Sequence, residues 1–121
     1  MPSRTPTLLA LALATALAGC GAGPTVREHS RHFTVTLDDY TIRPQAIVVP
    51  AGPLTLTVVN HGQIGHTFRI GGRTKVVLKI PTIPPGGART RSFRLGRGSY
   101  TTFDALANQE ILGMRGTLEA R

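Results

Sequence analysis

Apolar and polar residues alternate along most of the chain from His32 onward. In "HFTVTL" (His32 to Leu37), Phe33, Val35 and Leu37 fall on one face, with His32, Thr34 and Thr36 on the other. In "PLTLTVVN" (Pro53 to Asn60), Leu54, Leu56 and Val58 alternate with Thr55 and Thr57. A period of two marks a half-buried strand, because successive strand side chains point to opposite faces. "HTFRI", "KVVLKI", "RTRSFRL", "GSYTTF" and "MRGTLEA" continue the style, most of them rich in β-branched or aromatic residues. Turn signals such as "DDY", "PAGP", "NHGQIG", "IPPGGA" and "GRGS" separate them. Roughly seven or eight short strands at about ten-residue spacing predict an all-β sandwich or barrel. The one suggestion of helix is "DALANQEIL", a turn that Asp104 would cap and Gly113 would end.

The front of the chain breaks this pattern. Arg4 is followed by the apolar run "LLALALATALA" and by small residues before Cys20, the order of an export signal. The run is too short for a membrane-spanning helix, which needs about 20 apolar residues. Leu17-Ala18-Gly19-Cys20 resembles the lipobox of bacterial lipoproteins. That resemblance implies a signal peptide over residues 1–19 and an acylated, palmitate-bearing Cys20 as the mature first residue. An ordinary cleaved signal with a stray cysteine, or a buried helix, are the other readings of the same stretch. Each buried methylene of an acyl chain contributes about 0.8 kcal/mol, so two or more chains anchor a protein stably in the lipid bilayer. The expected location is the extracytoplasmic side of a bacterial membrane. Residues 20–31 are small, polar and unpatterned, and read as the lipidated cysteine and a flexible tether. Residues 32–121 then form one small domain.

Cys20 is the only cysteine. Committed to a thioether, it leaves no disulfide, no thiolate nucleophile and no cysteine metal ligand. The formal charge is +8, and +7 once Arg4 leaves with the signal. Cations cluster at Arg69, Arg73, Lys75 and Lys79, and at Arg89, Arg91, Arg94 and Arg97. Such clusters attract anionic lipid or an acidic protein, although a solvated basic surface is the plainer reading of them. Export, and few aromatics beside the arginines, speak against nucleic acid. No nucleophile elbow, HExxH or phosphate loop is present, so the chain is not expected to be an enzyme.

The order of features from "YTIRPQAIVVPAGPLTLTVVNHGQIGHTFRI" through "IPPGGARTRSFRLGRGSYTTF" to "GMRGTLEA" resembles the cupredoxins, small Greek-key β-sandwiches that hold copper. The resemblance spans about His32 to Ala120 and implies a cupredoxin-type sandwich. It places His66, six residues after Asn60, on the first histidine ligand, and Met114 on the axial methionine. Asp104 falls where the family has its cysteine, and Gln109 where it has its second histidine; these are the lost ligand positions. A blue-copper centre needs the thiolate, so the implied function is a membrane-anchored cupredoxin-like binding module with no cofactor. The alternative is a copper-binding or electron-transfer protein with a non-thiolate site at His66, Asp104 and Met114, since imidazole and carboxylate donors suit Cu(II). Plainer roles also exist: a strand-end histidine for His66, a loop cap for Asp104, a gap-filling thioether for Met114. The family frame also brings Asp104 beside His66, a pair that would raise the histidine pKa.

Overall fold

A computed structural model of the protein describes residues 23–121. The signal, the lipobox and Cys20 lie outside the described residues. Ten strands form two mixed sheets, and the described residues contain no helix. One sheet has four strands in the order β3 (Thr41–Arg43), β2 (His32–Asp38), β5 (Gly52–Asn60) and β8 (Ala88–Leu95). The other has six, in the order β1 (Val26–Arg27), β4 (Ala46–Val49), β10 (Arg115–Ala120), β9 (Gly98–Phe103), β6 (His66–Gly71) and β7 (Val76–Ile83).

The alternation read from the sequence is the alternation of burial. Phe33, Val35 and Leu37 of β2 and Leu54, Leu56 and Val58 of β5 are buried, and β2 pairs parallel with β5. Facing them, Phe68, Ile70, Ile80, Ile83 and Leu118 of the larger sheet complete one core. Each such side chain contributes about 1.5–3 kcal/mol when removed from water. On the outer face of the small sheet the threonines find hydroxyl partners, Thr55 with Ser92 and Thr57 with Thr90.

Two differences from the sequence reading concern short elements. The strands number ten rather than seven or eight, because β1, β3 and β4 are two to four residues long. A period-two pattern cannot register over so few positions. β3 and β4 flank Pro44 and belong to different sheets, so this segment carries the chain from one layer to the other. The stretch "DALANQEIL" forms successive turns rather than a helix, with Ala107 at φ 44°. Its one i→i+4 bond runs from Leu112 N–H to Asn108 O, and one turn cannot repay helix nucleation.

Part of the segment read as a tether pairs with the sandwich. Val26–Arg27 pairs parallel with β4, and Glu28 N–H donates to Val48 O at 2.8 Å. Backbone pairing asks nothing of side-chain pattern, so unpatterned residues can dock as an edge strand. Backbone pairing with the sandwich therefore begins before His32.

The first cation cluster spans β6 (Arg69), the β6–β7 turn (Arg73, Lys75) and β7 (Lys79), and the second spans β8 (Arg89, Arg91, Arg94) and the turn after it (Arg97). Arg89 and Arg91 stand opposite Val58 and Leu56, on the face of β8 turned toward the other sheet. Inward-facing charge on an edge strand blocks pairing with another chain. None of the eight cations in these clusters forms an ion pair among the described residues.

Candidate functional site

Three loops meet at one end of the sandwich: β2–β3 with Asp39, β5–β6 over residues 61–65, and β9–β10 over residues 104–114. Asn60, the fully buried last residue of β5, sets the second. Its amide donates to Ile64 O at 2.8 Å and Ile83 O at 2.9 Å, while its Oδ1 accepts from Gly62 N–H at 2.8 Å. The loop is thereby folded against β7, and His66 starts β6 with its side chain fully buried.

Asp104 Oδ2 lies 2.8 Å from His66 Nδ1, and Gln109 Oε1 lies 2.5 Å from the same nitrogen. Asp39 Oδ1 lies 2.6 Å from Nε2 on the other side of the ring. Asp104 is itself buried, and its Oδ1 accepts from Thr67 N–H at 3.1 Å, Thr67 Oγ1–H at 2.6 Å and Leu106 N–H at 2.9 Å. The last bond is the cap expected of an aspartate at a loop entrance. Thr67 Oγ1 in turn accepts from Ala105 N–H at 2.9 Å. Asp39 Oδ2 accepts from Gln63 N–H at 2.7 Å, which ties the first loop to the second.

The third loop is closed by its own backbone. Asp104 N–H donates to Met114 O at 3.1 Å, and Met114 N–H donates to Gln109 O at 3.0 Å. Met114 is wholly buried in the hydrophobic core. His66, Asp104 and Gln109 thus meet around one nitrogen, and Met114 joins them through the main chain. His61 is exposed and does not join them, nor do His29 and His32.

A neutral imidazole has one donor nitrogen and one acceptor nitrogen, whereas an imidazolium has two donors. Here both nitrogens face oxygen: two carboxylates and an amide oxygen. Gln109 Nε2 points to Gly65 O at 3.4 Å, consistent with its oxygen turned to the histidine. Burial disfavours the charged ring, but hydrogen bonds to Asp104, Asp39 and Gln109 outweigh it, and the His66 pKa lies above its ordinary value. The Asp39 carboxyl is held below its usual range, first by Gln63 N–H and then by His66.

Asp39 is the site residue that sequence reasoning missed. "DDY" is a sound turn signal, and nothing local relates it to a histidine 27 positions away. Thr67 was read only as part of a strand. Among the described residues no group of three or more histidine, cysteine, aspartate or glutamate side chains is arranged to hold a metal ion. Asp39 and Asp104 sit on opposite nitrogens of the ring, so the three side chains do not converge on one point.

Comparison with known proteins agrees with this architecture. The family model described as "Cupredoxin-like domain" matches residues 7–118. The comparison with curated proteins gave no match. Among solved structures, the fold is similar to reduced auracyanin from Roseiflexus castenholzii, with a TM-score of 0.70 and 18% identity over 78% of this chain and 99% of that one. It is similar to rusticyanin from Thiobacillus ferrooxidans, with a TM-score of 0.68 and 16% identity over 85% of this chain and 86% of that one. A variant of amicyanin in its reduced Cu(I) form gives a TM-score of 0.59 at 18% identity, over 74% and 82% of the two chains. At these identities the likeness is one of fold. With the family model spanning most of its length, the chain belongs to the cupredoxin-like domain family.

Proposed function

We propose that this protein is a metal-free cupredoxin-like binding module, anchored through Cys20 on the extracytoplasmic face of a bacterial membrane. In this reading a buried imidazolium replaces the family's metal centre. The observation that carries the proposal is the ring of acceptors around His66, with Asp104 and Gln109 on Nδ1 and Asp39 on Nε2.

Copper suits this donor set poorly. A metal-bound histidine must offer a lone pair, so binding would expel the proton that the surrounding oxygens favour. Asp104 has one oxygen committed to three donors, which leaves only Oδ2 free to move. Gln109 is a weak ligand, and Met114 is a soft donor better matched to Cu(I) than to oxygen-rich company. Without a thiolate, the fast electron exchange of a blue-copper centre has no support. The three loops are then held together by hydrogen bonds, and the protein acts through its surface. The unpaired cations of β7 and β8 offer an acidic protein a place to dock, with affinity that falls as salt rises.

Titration of the purified lipoprotein with Cu(II) and Cu(I) tests the reading. The expected result is no stoichiometric uptake and an unchanged melting temperature, because a ligand selective for the folded state must stabilise it. One-to-one binding that disappears in His66→Ala would establish the copper-carrier alternative instead.

A further inference from the structure

The large apolar side chains exposed among the described residues are Tyr40, Ile64, Ile111 and Leu112, at 39%, 38%, 85% and 58% of full exposure. All four lie on the three loops that meet at His66. Ile111 and Leu112 lie in the last part of the β9–β10 loop, exposed, and Gly113, the next residue, packs against Tyr40. A Cβ at Gly113 would stand 2.7 Å from Tyr40 O. Ile64 follows Gln63, whose N–H binds Asp39 beside Tyr40. The hydrogen bonds around His66 therefore hold these loops at one end of the sandwich.

The described chain begins at this same end. Gly23 and Pro24 line a groove of about 400 Å³ with Thr41, Ile42, Pro44 and Gly113. The docking of Val26–Arg27 on β4 fixes this approach. Cys20 is three residues before Gly23, and three residues reach at most about 11 Å. With a tether of a dozen residues the domain would have been free to turn any face to the membrane. With three, its orientation is restricted.

We propose that the loop end bearing Tyr40, Ile111 and Leu112 rests on the lipid bilayer, with these side chains entering the boundary between headgroups and acyl chains. The proposal rests on the reading of Cys20 as the acylated residue. Apolar side chains of interfacial segments settle about 5–10 Å into that boundary, within reach of so short a link. Leucine and isoleucine at 58% and 85% exposure gain from leaving water, and a tyrosine suits the polar–apolar border. Arg43 and Arg115 flank the patch, but each is already paired, with Asp38 and Glu110. The contact is thus apolar first, and salt should leave it in place. β7 starts at the far end and β8 runs toward it, so Arg73, Lys75, Arg94 and Arg97 stay clear for a soluble partner, while Arg89 lies near the loop end.

The chain contains no tryptophan, so a single introduced one reports its own surroundings. Leu112→Trp is placed at the proposed contact, and Arg97→Trp in the turn between β8 and β9 at the opposite end. Each full-length variant is produced with its own signal, checked for acyl chains on Cys20 by mass spectrometry, and reconstituted into phosphatidylcholine–phosphatidylglycerol vesicles carrying brominated acyl chains. The expected result is a blue-shifted, quenched emission for Leu112→Trp at low and high salt, and an unquenched, red emission for Arg97→Trp. An acylated protein in which Leu112→Trp is no more quenched than Arg97→Trp would overturn the proposal while leaving the anchor intact. A Cys20 without acyl chains would overturn the anchor, and the proposal with it.

Discussion

Asp39 Oδ1 and His66 Nε2 stand 2.6 Å apart, across a space that Gly62 leaves open. A Cβ on Gly62 would overlap the Asp39 carboxylate and lie 2.8 Å from the histidine nitrogen. Gly62→Ala should therefore push Asp39 aside, opening the β2–β3 loop while the Asp104 side of the ring stays closed. The expected loss is about 1–3 kcal/mol, the usual range for overpacking a filled site. Chemical unfolding gives the size, and amide exchange at Gln63, whose N–H binds Asp39, gives the place. Unchanged protection at Gln63 would contradict the geometry.

Asp104 carries more than Asp39, because it is buried and holds the histidine, Thr67 and the loop entrance together. Removing one member of a buried pair costs about 3–5 kcal/mol, since the remaining charge loses its partner. Asp104→Ala should fall in that range. Asp104→Asn keeps the shape and some of the acceptors, and should lose less. Urea titration of both variants orders them, and equal stability would show that the carboxylate is not needed.

The stability of the protein should depend on pH on both sides of a plateau. The His66 pKa is raised above its ordinary 6.5 by its three oxygen partners acting against burial. Its contribution is then complete below about pH 6.5 and is lost as pH rises through the folded value. The Asp39 pKa is lowered from 3.8, so its contribution is present above that value and lost as pH falls through the folded one. The melting temperature should be highest between these limits and decline on the alkaline side. His66→Phe should remove much of the alkaline decline, whatever its effect on absolute stability. A melting temperature that holds level through the neutral and alkaline range in the unaltered protein would argue for a neutral ring.

The spacing of Asp104, Gln109 and Met114 suggests a converse experiment. The first two already face His66 Nδ1, and Met114 is tied to both through the backbone. The double substitution Asp104→Cys with Gln109→His would supply the thiolate and second imidazole that a blue-copper site requires. Addition of Cu(II) should then give an intense visible charge-transfer band and a rise in melting temperature, neither of which is expected of the unaltered protein. A colourless double variant would mean that the loop no longer has the ligand geometry.

Much of this protein can be read directly from its residues. Alternation over β2 and β5 located the strands and the inward face of each, because a pleated strand admits only two faces. The frame from Asn60 to His66, and from Tyr100 to Met114, indicated the family and put Asp104 beside His66. The first reading rests on local periodicity, and the others on what the resemblance to the family implies. The partner on the other side of the ring could not be found this way. Asp39 reaches His66 only because β2 and β5 lie side by side and set their following loops together, a relation that exists once the sheets have formed. The same holds at the front of the chain, where residues with no pattern became an edge strand by sharing backbone bonds with β4. Composition made this segment read as a loose tether; tertiary pairing docked part of it on the sandwich. Side-chain chemistry was local and legible, whereas the second carboxylate and the docked edge strand depended on contacts between segments far apart in sequence.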